Sequence, residues 1–334
     1  MREKLLNIII FACIAIQALA QSGQESYSDV QAHNFIWEDK LYRQVEFLAD
    51  SLCDGRATGT PGSTEAAFWI IRRFRQLGLM PFDGNMAVGF TDPNGRNIIG
   101  MLPGSNRSHS DSYVIVCSHY DGLGRLEGTL YPGADSNASG VVAMISLAEM
   151  FSGMKLVGSS FGRNLIFVAL DAKGNSMRGS RALWEILSEG KFKDPVSGKA
   201  VTPDKISMVV NIDQIGGVDG LMRSGRQDFL VMLGKEKVGR EYSDMLGICN
   251  LKYGTLMDLS FDYFGSKSFT NVFYNKVCDQ RVFVEHKIPA VLFTSGITMK
   301  TNKPYDTADS LNMSVLKRRI CLMYHWIEYV LRRG

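Results

Sequence analysis

Across its 334 residues the chain is poor in several residue types and patterns, and each shortage excludes something. It has only 5 His, at 33, 109, 119, 286 and 325, so no histidine-rich metal tract exists. It has 6 Cys but no Cys-x-x-Cys pair, which excludes a cysteine-based zinc site. No block of five or more like charges occurs, and the formal charge is only +3, so neither nucleic acid nor an anionic membrane surface is an expected partner. Only 9 Pro occur, and neither an internal repeat nor a low-complexity tract is visible, which argues against a repeat architecture. What remains is 45% hydrophobic with 33 Gly, which suits one large α/β domain with a full core.

The N-terminus reads as a targeting segment. Arg2 and Lys4 precede an apolar run from Leu5 to Ile16, and Ala18-Leu19-Ala20 has the small-x-small form of a cleavage site. The run is too short to span a bilayer. Residues 1–20 are therefore expected to be a cleaved signal peptide and 21–35 a flexible lead. Residues 36–334 are expected to form a single exported domain, with no later stretch crossing a membrane. Cys13 would leave with the signal. Of the five cysteines left, Cys117 lies in a strand-like run and reads as a buried thiol, and the sequence selects no disulfide pair.

Along the chain, helical periodicity from Trp37 to Gly78 is broken by the turn-rich stretch Arg56 to Gly62, with Ser63 or Thr64 as caps for the second half. Strands are expected at 97–101 and 113–117, as a hairpin-like pair, and at 165–170, 206–212 and 290–294. Helices are expected at 139–151, nearly apolar all round, and at 180–187, 237–248 and 315–331. Residues 190–204 read as a surface excursion. Strands alternating with helices imply an α/β fold, a mostly parallel mixed sheet sandwiched by helices.

In such sheets ligands gather beyond the carboxyl ends of the strands. His119 follows one strand, Asp213 follows another, and Asp135 opens the loop before the apolar helix. One histidine and two carboxylates suffice for a catalytic-type zinc with water as the fourth ligand. Asp121, two residues past His119, is placed to accept the other ring N–H. Each of these residues alone would more readily be a turn former or a surface polar group, and only their joint placement argues for a site.

Taken together, several motifs in order resemble the secreted zinc-dependent aminopeptidases of the leucyl-aminopeptidase type. Their superfamily also holds glutamate carboxypeptidase, glutaminyl cyclase and the transferrin receptor. The motifs are Leu48-Ala49-Asp50 with Gly55-Arg56 and Gly59 to Gly62, then His119 to Gly124, Gly133-Ala134-Asp135 and Asn137 to Gly140. Phe167-Val168-Ala169 with Arg178 to Ser180, Asn211-Ile212-Asp213 and Ile288-Pro289-Ala290 follow. The resemblance implies a zinc-exopeptidase (phosphorylase/hydrolase-like) architecture. It implies His119, bridging Asp135 and Asp213 as ligands of one metal, and a cis peptide at Asp135-Ser136.

The resemblance also marks losses. Where such relatives carry two successive glutamates, Lys173 stands at the general-base position and Gly174 at a ligand position. Cys278-Asp279-Gln280 replaces a Ser-Asp-His element, and Asn302 falls where a late ligand histidine is expected. A protonated lysine cannot deprotonate a metal-bound water unless its pKa falls by several units. Two readings follow. In one, the chain is an impaired or inactive member that keeps a cleft for a peptide or protein, with Lys173 standing in for a cation. In the other, it is an active aminopeptidase or amide hydrolase with at most one zinc, held by His119, Asp135 and Asp213, and Lys173 would stabilise the oxyanion. Glutaminyl-cyclase-like transfer would lean on the carboxylates lost at 173 and 174. Tyr120, Tyr131 and Tyr305 are candidate lining residues of the cleft.

Overall fold

A computed structural model describes residues 31–105, 111–219, 224–263 and 265–332. The expected signal peptide, His109 and most of the expected lead lie outside them. The five cysteines among the described residues are free and buried.

The framework is an eight-stranded sheet among the described residues. In chain order its strands are β1 (Ala87–Phe90), β2 (Gly95–Leu102), β3 (Tyr113–His119), β6 (Asn164–Leu170), β7 (Ile206–Ile212), β8 (Phe229–Leu233), β9 (Asp258–Ser260) and β10 (Ala290–Thr294). A two-stranded ribbon, β4 (Gly124–Leu126) and β5 (Thr129–Tyr131), stands apart. The spatial order is β1-β2-β6-β3-β7-β10-β8-β9. Strands β6, β3, β7 and β10 run parallel, and β1, β2 and β8 add antiparallel pairs. The expected hairpin is thus wrong. β6 lies between β2 and β3, so two strands close in sequence never pair. The cause is visible in β3, whose seven residues are all buried, as a central parallel strand requires.

Alternation along these strands feeds two apolar layers. Val114, Val116, Phe167 and Val210 face the helices Glu38–Ala49, Pro61–Gln76, Ser139–Leu156 and Met313–Arg332. Ile115, Val168 and Val209 face the helices Arg178–Ser188 and Gln280–Glu285. Each fully buried aliphatic side chain here stabilises by about 1.5–3 kcal/mol.

The stretch Ala134–Leu156 is apolar and long enough to cross a membrane by length and composition, contrary to expectation, yet 78% of its apolar window is buried inside the fold. It is the core helix, buried all round from Ser139 to Ala148 and emerging only towards its C-terminal end at Leu156.

Smaller expectations shift too. The helix Pro61–Gln76 is capped by Thr60, whose hydroxyl accepts from the Ser63 amide at 3.2 Å, rather than by Ser63 or Thr64. Helix 237–248 is split at Gly239 into Lys235–Val238 and Arg240–Lys252. The 190–204 excursion is anchored, because Asp194 is buried and accepts from the Tyr113 hydroxyl at 2.6 Å. Residues 31–35 of the expected lead form a 3-10 turn with Ala32 buried.

Candidate active site

Parallel register brings three carboxyl ends together. His119 ends β3 opposite Leu170 of β6, Lys173 follows β6, and Asp213 follows β7. Asn137 staples this corner. Its side-chain nitrogen donates to Ser118 Oγ (2.8 Å), the His119 carbonyl (3.1 Å) and the Ile212 carbonyl (3.2 Å), and its oxygen accepts from the Gln214 amide (2.9 Å). The same oxygen accepts from the Gly140 amide, where any Cβ would come within 2.3 Å of it. The Asn137-Ala138-Ser139-Gly140 motif is thus a hydrogen-bonded corner.

His119 is buried, and its Nδ1 lies 3.1 Å from the Asp121 carbonyl and 3.4 Å from the Asp121 carboxylate. Its Nε2 faces Asp213 Oδ1 at 3.4 Å and the Lys173 ammonium at 3.2 Å. Lys173 also donates to Asp213 Oδ2 in a close ion pair. Cys278 adds a buried thiol beside the same carboxylate, and burial with Asp213 close by pushes that thiol up.

The charges order themselves around Asp213. Burial would raise its pKa, but Lys173 and His119 hold it far below the ordinary carboxylate range. Burial opposes charge on Lys173, yet Asp213 dominates and holds its pKa above the ordinary lysine value. Burial and Lys173 press His119 down, and Asp213 and Asp121 overcome them, pushing it up to about 9. Two cations and two carboxylates therefore neutralise one another. Neighbouring Asp279 is buried, which raises its pKa, and it accepts from the Ser180 hydroxyl at 2.7 Å.

Asp135 occupies a separate cradle. Its Oδ1 accepts from the amides of Gly216 (2.8 Å) and Gly217 (3.1 Å) and from the Ser139 hydroxyl (3.0 Å), while Oδ2 is buried with no hydrogen-bond partner. Glycine is needed at 217, since a Cβ there would meet Oδ2 at 2.7 Å. Arg319 of the C-terminal helix steadies this loop by donating to the carbonyls of Ile215 (2.8 Å) and Gly217 (2.7 Å). Burial, with Asp306 close by, pushes Asp135 up to about 6. The cis peptide here is Ser136-Asn137, one bond later than expected.

Sequence reasoning missed Asp306, whose carboxylate accepts from the amides of Asp135 (2.8 Å) and Ser136 (3.1 Å), and it missed the thiol of Cys278 as part of the cluster. Nothing local marks Asp306, because it acts on backbone about 170 residues away. Gly174 donates its amide to Asp121 at 3.4 Å, and a Cβ there would meet nothing within 4 Å. Asn302 reaches only the Ser136 hydroxyl, at 3.4 Å. Tyr120 is fully buried, its hydroxyl on Asp171 at 3.0 Å, so it lines no cleft, whereas Tyr305 is 56% exposed.

As arranged, these residues do not fit a zinc ion. The Asp213 carboxylate is taken by the Lys173 ammonium, which also stands 3.2 Å from His119 Nε2, so a dication would have to approach that ammonium. Among the described residues no group of three or more His, Cys, Asp and Glu is placed to hold a metal.

Comparison with known proteins adds the lineage. The family model described as Peptidase family M28 matches residues 97–327. A 140-residue stretch is 29% identical to Nicalin of Caenorhabditis elegans, covering 39% of this chain and 24% of Nicalin, so the match spans about a quarter of that protein. The LapA aminopeptidase of Legionella pneumophila superposes with a TM-score of 0.68 at 15% identity, over 91% of this chain and 75% of that one. BSAP, a zinc aminopeptidase from Bacillus subtilis, gives 0.66 at 14% identity, over 89% and 95%. Glutaminyl cyclase of Porphyromonas gingivalis gives 0.61 at 14% identity, over 89% and 99%. At these identities the structural likenesses speak for the fold.

Proposed function

The chain belongs to peptidase family M28, and from that premise we propose that it is an exported member whose hydrolytic centre is closed by its own lysine and whose remaining role is to bind a peptide or protein. One observation carries this reading: the Lys173 ammonium lies on both His119 Nε2 and Asp213. It supplies the positive charge that buried Asp213 needs, and a lysine there offers no proton acceptor of the kind that peptide hydrolysis needs at that position. Export rests on the expected signal in residues 1–20. Neither nucleic acid nor stable membrane insertion belongs to this reading.

A second reading has its own support. The unpartnered, buried Asp135 Oδ2 is an oxygen that a cation would satisfy, and His119, Asp135 and Asp213 are all present. If Lys173 turned outward, the chain would hold at most one zinc and act as an aminopeptidase or amide hydrolase. Cyclase-type transfer has less support, since the carboxylates it would use are absent at 173 and 174.

The test is the double substitution Lys173→Glu with Gly174→Glu, which the open space at Gly174 accommodates. Zinc content measured by elemental analysis is expected to rise from little or none to one ion or more per chain. Unchanged content would sink the assignment of Lys173 as the group that closes the site.

A further inference from the structure

The N-terminal turn Gln31–Phe35 and the C-terminal helix Met313–Arg332 meet through two imidazoles, with Nε2 of His33 at 2.8 Å from Nε2 of His325. The His325 ring is 1% exposed, stacked on Tyr253 with centroids 3.4 Å apart and edge-on to Tyr324. Its Nδ1 faces Glu328 at 3.6 Å. Two neutral rings at this distance share a single proton, one donating and one accepting. The arrangement that suits the surroundings has His325 Nδ1–H towards Glu328 and His33 Nε2–H towards His325.

Little nearby would stabilise a charge on both rings at once. Lys317 adds a positive field, and Glu328 is already paired with Arg332 at 2.8 Å. Cys249 and Lys252 line the cavity of about 410 Å³ beside His325. On the core helix Ser139–Leu156, Glu149 is held by Lys40 and Arg73, and Lys155 donates to the Pro103 carbonyl. The turn's own footprint is small. Ala32 and Ile36 are buried, and the Phe35 ring lies on Gly153, where a Cβ would come within 2.4 Å of it.

We propose that residues 31–36 form a pH-sensitive clasp, docked on the C-terminal helix and on Gly153 while the two imidazoles share one proton, and released when acid charges both rings. The sign follows from the direction of titration. Burial, His325 and Lys317 lower His33 from 6.5 to about 4. Docking is therefore strongest above pH 6.5 and weakens as pH falls from 6.5 towards 4, by about 300-fold in the docking equilibrium at the limit.

Hydrogen exchange read by mass spectrometry on the purified chain tests this, with rates corrected for the intrinsic effect of pH. From pH ~7.5 to pH ~4.5, protection of peptides covering 31–41 should fall by more than about tenfold, while β6 stays protected. In His33→Phe the same peptides should hold their protection across that range. Constant protection in the wild type, an equal loss in His33→Phe, or simultaneous loss in β6 would each overturn the clasp.

Discussion

The two halves of the candidate site have been treated differently. Around Asp135 the scaffold is complete: two glycine amides, a serine hydroxyl, the Asp306 cap and the Arg319 brace all converge, and one carboxylate oxygen faces nothing. Around Asp213 the scaffold is equally complete, but both oxygens are spoken for, Oδ1 by His119 and Oδ2 by Lys173. On the proposed reading, the backbone scaffold of an M28 peptidase is kept while the charge around Asp213 is balanced from within. A buried carboxylate needs a counter-charge, and the Lys173 ammonium, from the loop after β6 two strands away, meets that need without coordination geometry.

The sharpest way to break this comparison is to remove the ammonium. Lys173→Met leaves Asp213 buried beside His119 alone, and is expected to cost about 3 kcal/mol at neutral pH in denaturant unfolding. Asp213 is depressed below 3.8 and Lys173 is raised above 10.5, so the difference should be full between those values and shrink as pH falls below about 4. A flat pH profile would mean that the pair contributes nothing to folding.

The other half predicts the opposite sign with a smaller effect. Asp135 is raised from 3.8 to about 6, so its ionisation opposes folding above that range. Asp135→Asn keeps an oxygen for the Gly216 and Gly217 amides and removes the charge. It should stabilise by about 2 kcal/mol at pH ~7.5, with the gain vanishing below pH ~4. Destabilisation at pH ~7.5 would instead mark Asp135 as a group that a bound cation needs.

The sequence exposed the half of the site that is local and hid the half that is not. His119, Asp135 and Asp213 sit at strand and loop ends, where period and turn residues announce them. The strands 206–212 and 290–294 stand where the apolar runs placed them. The pairing of β2 with β3 was misjudged because adjacency in sequence suggested a hairpin, whereas burial of every β3 residue demanded neighbours on both sides. β8 went unnoticed, although Phe229–Leu233 is a short apolar run of the same kind. Asp306 and Cys278 act on groups far away in the chain, so no spacing rule could reveal them. Lys173 was visible as a substitution, but only coordinates place its ammonium on His119 and Asp213 together.

The most direct measurement is the zinc content of the purified wild-type chain after equilibration with excess zinc and removal of free ion, taken beside turnover of an aminoacyl anilide. Closure by Lys173 predicts zinc far below one ion per chain and no turnover. Stoichiometric zinc, with turnover that disappears in His119→Ala, would contradict it.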